Sequence, residues 1–587
     1  MLSAQMTFFM AALLAMLAVS ASSRASARLE RIGWIAHLGD AAERFAARYY
    51  WLLFALTLVL GIVVRVYRFP ELPLGINQDG AWAGVEALCL AHGGVDQYGT
   101  SLPTYFESWQ TMQMSTLYSY LLAPLVKVFG LSKLTLRLPM LTISLLSLVV
   151  LWDFARRMLG RGYALLVLFF AAVCPWHILQ SRWALEANLF PHVLLLGCYL
   201  LFLGQNRRWA LYLSMAVFGL SLYAYGLASL VVPPLLVALA VYYAAKHRVR
   251  WFDLVLCIAV FLAVGGPFLL TMAINAFGWE TMHLGPFTLP LCAQSTRSGD
   301  LVFMRNDVGD VFFSNAITAL QSTFLQSGLM PAEGAFNAIP AYNTLYPFMV
   351  PAILLGIPWL WHDRRRSAHA VHPQDAFCAG GMIVLCALAS ATAVALFSLD
   401  CNVNRANAVY YPLMLCAGYA LYRMGKRVRI FLPCVVLMLL CCFSGLVQTY
   451  FTDENYIRAV AQEFHSGAQE ALVFSRGWDC DRYYVYAGPG ILETPKIMEG
   501  QLMFAHEIDA QQRLDECELK DANGEPTGWY YSQLYEVRMM DADELNPDEC
   551  AVHVAPAVYR PLFEGEDYRI WDFDRFFVAY PVYWMED

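Results

Sequence analysis

Four carboxylates, Asp79, Glu86, Asp96 and Glu107, fall within one polar, Gly-rich stretch, Ile76–Trp109 (INQDGAWAGVEALCLAHGGVDQYGTSLPTYFESW). It follows directly on the apolar run Trp51–Val66. A carboxylate at a membrane surface can take the proton of a hydroxyl as that oxygen attacks, which is general base catalysis. Asp79, in Asn77-Gln78-Asp79-Gly80 ahead of a helix-like run, suits this role and equally suits a helix N-cap. Glu107 stands in Tyr105-Phe106-Glu107-Ser108-Trp109, either solvated or near the reacting surface. Glu186 lies on a tight turn, Ser181-Arg182-Trp183-Ala184-Leu185-Glu186, between two apolar runs. Arg182, four residues earlier, can pair with Glu186 along a helix. The segment 398–406 places Asn402, Asn404 and Arg405 at a span end. An arginine there can snorkel to headgroups or hold a phosphate through paired hydrogen bonds. The loop 275–341 adds His283, Arg297, Arg305, Asp307 and Asp310, and its length suggests a lid or a substrate-binding role.

These residues need a membrane bundle to position them. The chain has 587 residues, 59 % of them hydrophobic and 15 % charged, with mean hydropathy +0.47; a soluble domain carries roughly 25 % charged residues. Apolar runs recur along the chain, so the expected fold is a polytopic α-helical membrane protein. P-loop, dinucleotide and zinc-spacing motifs are not found, and no nucleic-acid partner is expected. Residues 451–587 hold 28 acidic and 10 basic residues, whereas the remainder holds 19 and 29. A basic membrane part thus precedes an acidic tail. Of 15 cysteines, most sit in apolar runs as small hydrophobes. Cys480, Cys517 and Cys550 lie in the polar tail, where a disulfide can form if the tail is outside the cell.

Basic clusters set the expected topology. Residues 7–21 form an uncleaved first span, and 24–48 a basic cytoplasmic linker. The run at 50–66 leads outward, and 111–130, broken by Pro124, lies at the interface rather than crossing. With that choice Arg156/Arg157/Arg161, Arg207/Arg208, Lys246/Arg248/Arg250, Arg364–Arg366 and Arg423–Arg429 all fall inside. About twelve spans result. The expected domains are 1–49, a transmembrane catalytic domain 50–450 with outer loops 67–136 and 275–341, and an extracytoplasmic α/β or α+β domain 451–587. In the last, Asn455–Glu470 reads as helix, and Ala471–Ser475, Tyr483–Tyr486 and Tyr530–Val537 read as strands. This domain is expected to fold alone, with Trp529, Tyr530 or Trp571 available for sugars.

Taken together the motifs resemble the GT-C superfamily of polyprenyl-phosphate-sugar-dependent glycosyltransferases, and within it the family 39 group of protein O-mannosyltransferases and lipid A aminoarabinose transferases. The resemblance rests on the Asp79 loop, Tyr105-Phe106-Glu107, Leu136-Arg137-Leu138-Pro139, Cys174-Pro175-Trp176-His177 with Ser181-Arg182 leading to Glu186, and Asn404-Arg405 with Pro412. It covers roughly residues 50–450. It implies a GT-C-like fold, Asp79 as catalytic base, Glu186 close to it, and Glu107 as a metal or substrate contact. The sequence departs from the pattern at Asp79-Gly80, where many members have Asp-Glu, and at Ser108-Trp109, where many have Lys-Pro.

The expected function is therefore inverting transfer of a sugar from a polyprenyl-phosphate donor to an acceptor hydroxyl on a protein, lipid or glycan at the outer membrane face. Asp79 and Glu186 are the expected catalytic residues, Arg182, Asn404 and Arg405 the donor-phosphate ligands, and Glu107 and His283 the metal or substrate contacts. The one cofactor the reading suggests is a divalent metal. Rival readings are a lipid-linked glycan flippase or transporter, which would keep ionisable groups near the bilayer midplane, and a non-catalytic anchor presenting the acidic tail.

Overall fold

The computed structural model describes residues 3–107, 113–246, 250–292, 308–323, 334–368, 375–398, 402–490, 494–517 and 530–585. Arg297, Arg305, Asp307 and Trp529 lie outside the described residues.

The chain is mostly helical. Among the described residues seven helices are long and apolar enough to cross a membrane: Ala4–Ala21, Lys133–Leu159, Glu186–Gly204, Ala228–Ala245, Trp251–Phe277, Asp375–Phe397 and Phe431–Thr452. An eighth results if Gly33–Arg48 and Tyr50–Val66, bent by 81° at their junction, are one span. Other expected spans are shorter helices, such as Arg161–Val173 and Arg208–Ser221. The segment expected at the interface forms the 13-residue helix Leu117–Phe129.

Two ends of the bundle are distinguished by what docks there. At one end the basic linker folds into Ser23–Glu30 and Gly33–Arg48. It grips Arg429, which pairs with Glu30 at 3.0 Å and also with Asp40. Gly39 permits that approach, since a Cβ there would lie 2.9 Å from the Arg429 Cβ. The Tyr50–Val66 helix then rises about 25 Å to the other end, where the first loop and the C-terminal domain meet.

The Gln78–Gly93 helix, here the first-loop helix, is buried from Gly80 to Ala91. Its apolar residues are distributed around the helix because both sides are covered. Ser119 of Leu117–Phe129 donates to the Ala83 carbonyl on one side. On the other, Gly84 meets Phe504 and Trp82 meets Gly500, both partners on the C-terminal helix Pro495–His506. The first-loop helix ends at Gly94, whose φ of +67° suits glycine.

Short strands flank this helix. β1 (Phe106–Glu107) pairs antiparallel with β2 (Gln113–Met114), and β3 (Met282–Leu284) with β4 (Phe287–Leu289). The C-terminal domain carries a five-stranded mixed sheet of β5 (Arg482–Ala487), β6 (Tyr535–Met539), β7 (Ala551–Pro556), β8 (Tyr568–Phe573) and β9 (Phe576–Pro581), in the order β6-β5-β7-β9-β8. β5 is parallel to both its neighbours, while β8 and β9 form an antiparallel hairpin. Tyr483–Tyr486 is strand as expected, but Ala471–Ser475 belongs to the helix Ala468–Ser475. A short apolar run is ambiguous by periodicity, and this one is helical because it packs on the sheet. The expected helix over 455–470 ends at Glu463 and the next begins at Ala468; its N-cap Gly467 has φ +92°, and a Cβ there would collide with the Phe573 carbonyl. Cys480 and Cys550 are free thiols rather than a disulfide.

The domain is not a loose cap. Buried apolar residues continue without a break from the bundle through Trp82 and Phe504 to Val485, Val552 and Val578. The expectation of an independently folding tail does not fit that shared core.

Candidate active site

Asp79 stands in the first turn of the first-loop helix, half-buried. The N-cap is Asn77, with extended backbone and no side-chain cap bond, so the capping position is not that of Asp79. A carboxylate in a first turn is favoured by the helix dipole.

Three arginines, each fully buried, hold the chain that leads to this turn. Arg137 donates to the carbonyls of Pro70 at 2.5 Å, Pro73 at 3.0 Å and Gly75 at 2.6 Å. Arg182 donates to Val64, Arg65, Tyr67, Arg68 and Leu72 carbonyls and to the Tyr450 hydroxyl. It closes the carbonyl end of Tyr50–Val66, where an arginine complements the dipole. Arg65 bonds His177 and the Gly61, Ala171 and Ala172 carbonyls. The assignment of Arg182 to the donor phosphate is thereby corrected: its guanidinium has five N–H donors, and the protein takes all of them.

Glu186 opens the Glu186–Gly204 helix and is 7 % exposed. It does not pair with Arg182; it accepts from the Ser115 backbone N–H, next to β2. A Cβ at Gly80 would lie 3.4 Å from the Ala184 carbonyl, so the turn carrying Asp79 sits against the segment entering Glu186. Glu107, half-buried, is paired with Gln113 across β1 and β2, two residues from Ser115. On the other side of the Glu186 turn, Asn407 donates to the Ala187 carbonyl at 3.2 Å and accepts from Trp176 Nε1 at 2.8 Å. This seats the 402–409 turn, with Asn404 and Arg405 half-buried, at the same helix N-terminus. Arg405 N donates to Asn402 Oδ1 at 2.9 Å. His283 is exposed on β3 and bonded to Thr288, not to these residues.

Glu86, two turns after Asp79 on the same helical face, is wholly buried. It accepts from the Gln97 backbone at 3.2 Å and from Gln97 Nε2 at 2.8 Å. Burial first, and then Asp96, push its pKa well above the usual carboxylate value, against those two bonds. Asp96 is raised by burial, opposed by the Thr100 and Tyr98 backbone amides. Gln97 Nε2 also reaches the Glu107 carbonyl at 3.2 Å. Among the described residues no group of three or more His, Cys, Asp or Glu is arranged to hold a metal ion.

The fold is similar to that of GT-C membrane glycosyltransferases. Residues 114–270 match the family model described as dolichyl-phosphate-mannose-protein mannosyltransferase. That segment includes Glu186 but neither Asp79, Arg405 nor the C-terminal domain. The fold is similar to ArnT from Cupriavidus metallidurans bound to undecaprenyl phosphate, with TM-score 0.53 and 13 % identity over 91 % of this chain and 98 % of that one. The Archaeoglobus fulgidus oligosaccharyltransferase in its apo form gives TM-score 0.45 and 12 % identity, covering 79 % and 64 % of the two chains. A search of curated proteins found no match.

Proposed function

We propose that this chain transfers a sugar from a polyprenyl-phosphate donor to an acceptor hydroxyl, with inversion, at the outer face of the membrane. The family match and the fold shared with an undecaprenyl-phosphate complex support a lipid-phosphate donor. The observation that carries the reading is the convergence of the Asp79 turn, the Glu186 turn and the Arg405 turn. Asp79 takes the acceptor proton as the oxygen attacks the anomeric carbon from the face opposite the phosphate. The bond from that carbon to the phosphate oxygen breaks, and the lipid phosphate leaves with its charge met by Arg405. Charge stabilisation and orientation of two bound partners supply most of the acceleration in such a site. Glu186, fixed by the Ser115 amide, orients the acceptor side. A divalent ion held at Glu107 would need ligands from the donor phosphate itself.

The test is Asp79→Asn in a turnover assay with a purified polyprenyl-phosphate sugar. Loss of a general base costs roughly 10²–10⁴ in rate, whereas loss of a first-turn charge costs only about 0.3–1 kcal/mol of stability. We expect folded protein with normal donor binding and turnover reduced by at least ~10²-fold. Near-normal turnover would remove the base from the mechanism.

A further inference from the structure

The turn that carries Asp79 is held from one side by the C-terminal domain. The Ile76 carbonyl, three residues ahead of Asp79, accepts a hydrogen bond from Gln501 Nε2 at 2.8 Å. Gln501 is fully buried on the Pro495–His506 helix. Its orientation is set by Gln469, also buried, whose Nε2 donates to Gln501 Oε1 at 2.6 Å and to the Gln501 carbonyl at 2.9 Å. One residue earlier, Gly75 has φ +78°, and a Cβ there would lie 2.0 Å from the Phe464 carbonyl. The chain before Asp79 is thus pressed against the start of the domain.

The contact continues along the first-loop helix. Lys496 lies over the Trp82 ring at 4.9 Å, and a Cβ at Gly500 would lie 2.8 Å from Trp82 Nε1. Lys496 pairs with Glu499 at 2.8 Å, and Glu499 with Arg513 at 2.9 Å. Desolvated amides and ions add little net stability compared with apolar packing. Their directional bonds do fix one arrangement of the two surfaces.

We propose that the C-terminal domain is a working part of the catalytic site, with Gln501 as its positioning residue. By holding the Ile76 carbonyl, Gln501 sets the plane of the Ile76–Asn77 peptide. That plane sets the direction in which the first turn presents Asp79. The proposal rests on the reading of Asp79 as the base.

The test uses full-length protein carrying Gln501→Met, close in size but unable to donate. Hydrogen exchange over residues 75–82 and steady-state kinetics with a polyprenyl-phosphate sugar are measured together. Local exchange should rise at least ~10-fold as the turn loosens. Because a misplacement of about 1 Å can cost ~10²-fold, turnover should fall roughly 10–100-fold with the donor KM unchanged. Gln469→Met, which leaves the Gln501 donor in place, should move both readouts the same way by less, and it carries the test if Gln501→Met does not fold. Tyr568→Phe, on the far face of the sheet, should move neither. Unchanged exchange over 75–82, or loosened exchange with wild-type turnover, would overturn the proposal. Should Asp79→Asn itself turn over normally, the base reading fails, and the exchange result still decides whether Gln501 holds the turn.

Discussion

Arginines in this chain do two different jobs that residue type alone does not separate. Arg137 and Arg182 belong to two of the quoted motifs, yet apart from the Arg182 bond to the Tyr450 hydroxyl their donors end on backbone carbonyls between Val64 and Gly75. Arg405, half-buried on the 402–409 turn beside the Glu186 helix, is the residue proposed to meet the donor phosphate. The two roles predict opposite signatures. Arg182→Lys leaves several buried carbonyls without partners, at about 1–3 kcal/mol each, so the melting temperature should fall by several degrees while the surviving protein keeps its donor KM. Arg405→Ala instead probes the donor contact. Losing a charge-assisted bond worth about 1.5–3 kcal/mol should raise the donor KM roughly 10–100-fold at unchanged turnover, since a contact present in both ground and transition states is uniform binding. Measuring both parameters for both variants decides the assignment; an unchanged KM in Arg405→Ala would count against the contact.

The first-loop helix differs in burial along its length. Asp79 is half-open at its start, while Glu86 is sealed two turns on. Burial raises the Glu86 pKa in the fold, so its protonated form is the one the fold favours. The associated stability is complete below the unfolded value of about 4.3. It is lost as pH rises through the raised folded value. Glu86→Gln has no proton to lose. Its melting temperature, followed in detergent from acid to alkaline pH, should therefore decline less than that of the wild type across this window. Parallel curves would show that Glu86 is not the group responsible.

For the whole molecule, the docked linker and the docked tail mark opposite ends of the bundle. Arg429 gathers Glu30 and Asp40 at one end, and Gln501 meets Ile76 at the other. If basic clusters face the cytoplasm, Arg366→Cys should react with a membrane-impermeant thiol reagent only from the inside. Glu564→Cys should react only from the outside. Labelling of both from one side would break the orientation on which the outer-face reaction depends.

The bundle itself was legible in the chain, because a span needs a long apolar run and such runs are a local property of sequence. The grouping of Arg24–Arg48 and Arg423–Arg429 at one end of the bundle was legible for the same kind of reason: charge is excluded from the bilayer wherever the chain goes next. Asp79 and Glu186 stood out as carboxylates beside spans, and the acidic composition of 451–587 separated the tail. What the residues meet was not legible. Arg182 looks like a phosphate ligand or a helix partner of Glu186 until the folded chain brings the end of Tyr50–Val66 against it. Gln501 carries no local signal, since a buried amide is marked only by the carbonyl it reaches, 425 residues away in the chain. The run at 471–475 reads as a strand along the chain and is a helix in the fold, packed on the sheet. Periodicity and charge are written along the chain, but a hydrogen bond between distant segments exists only once packing has excluded the water that would otherwise satisfy both partners.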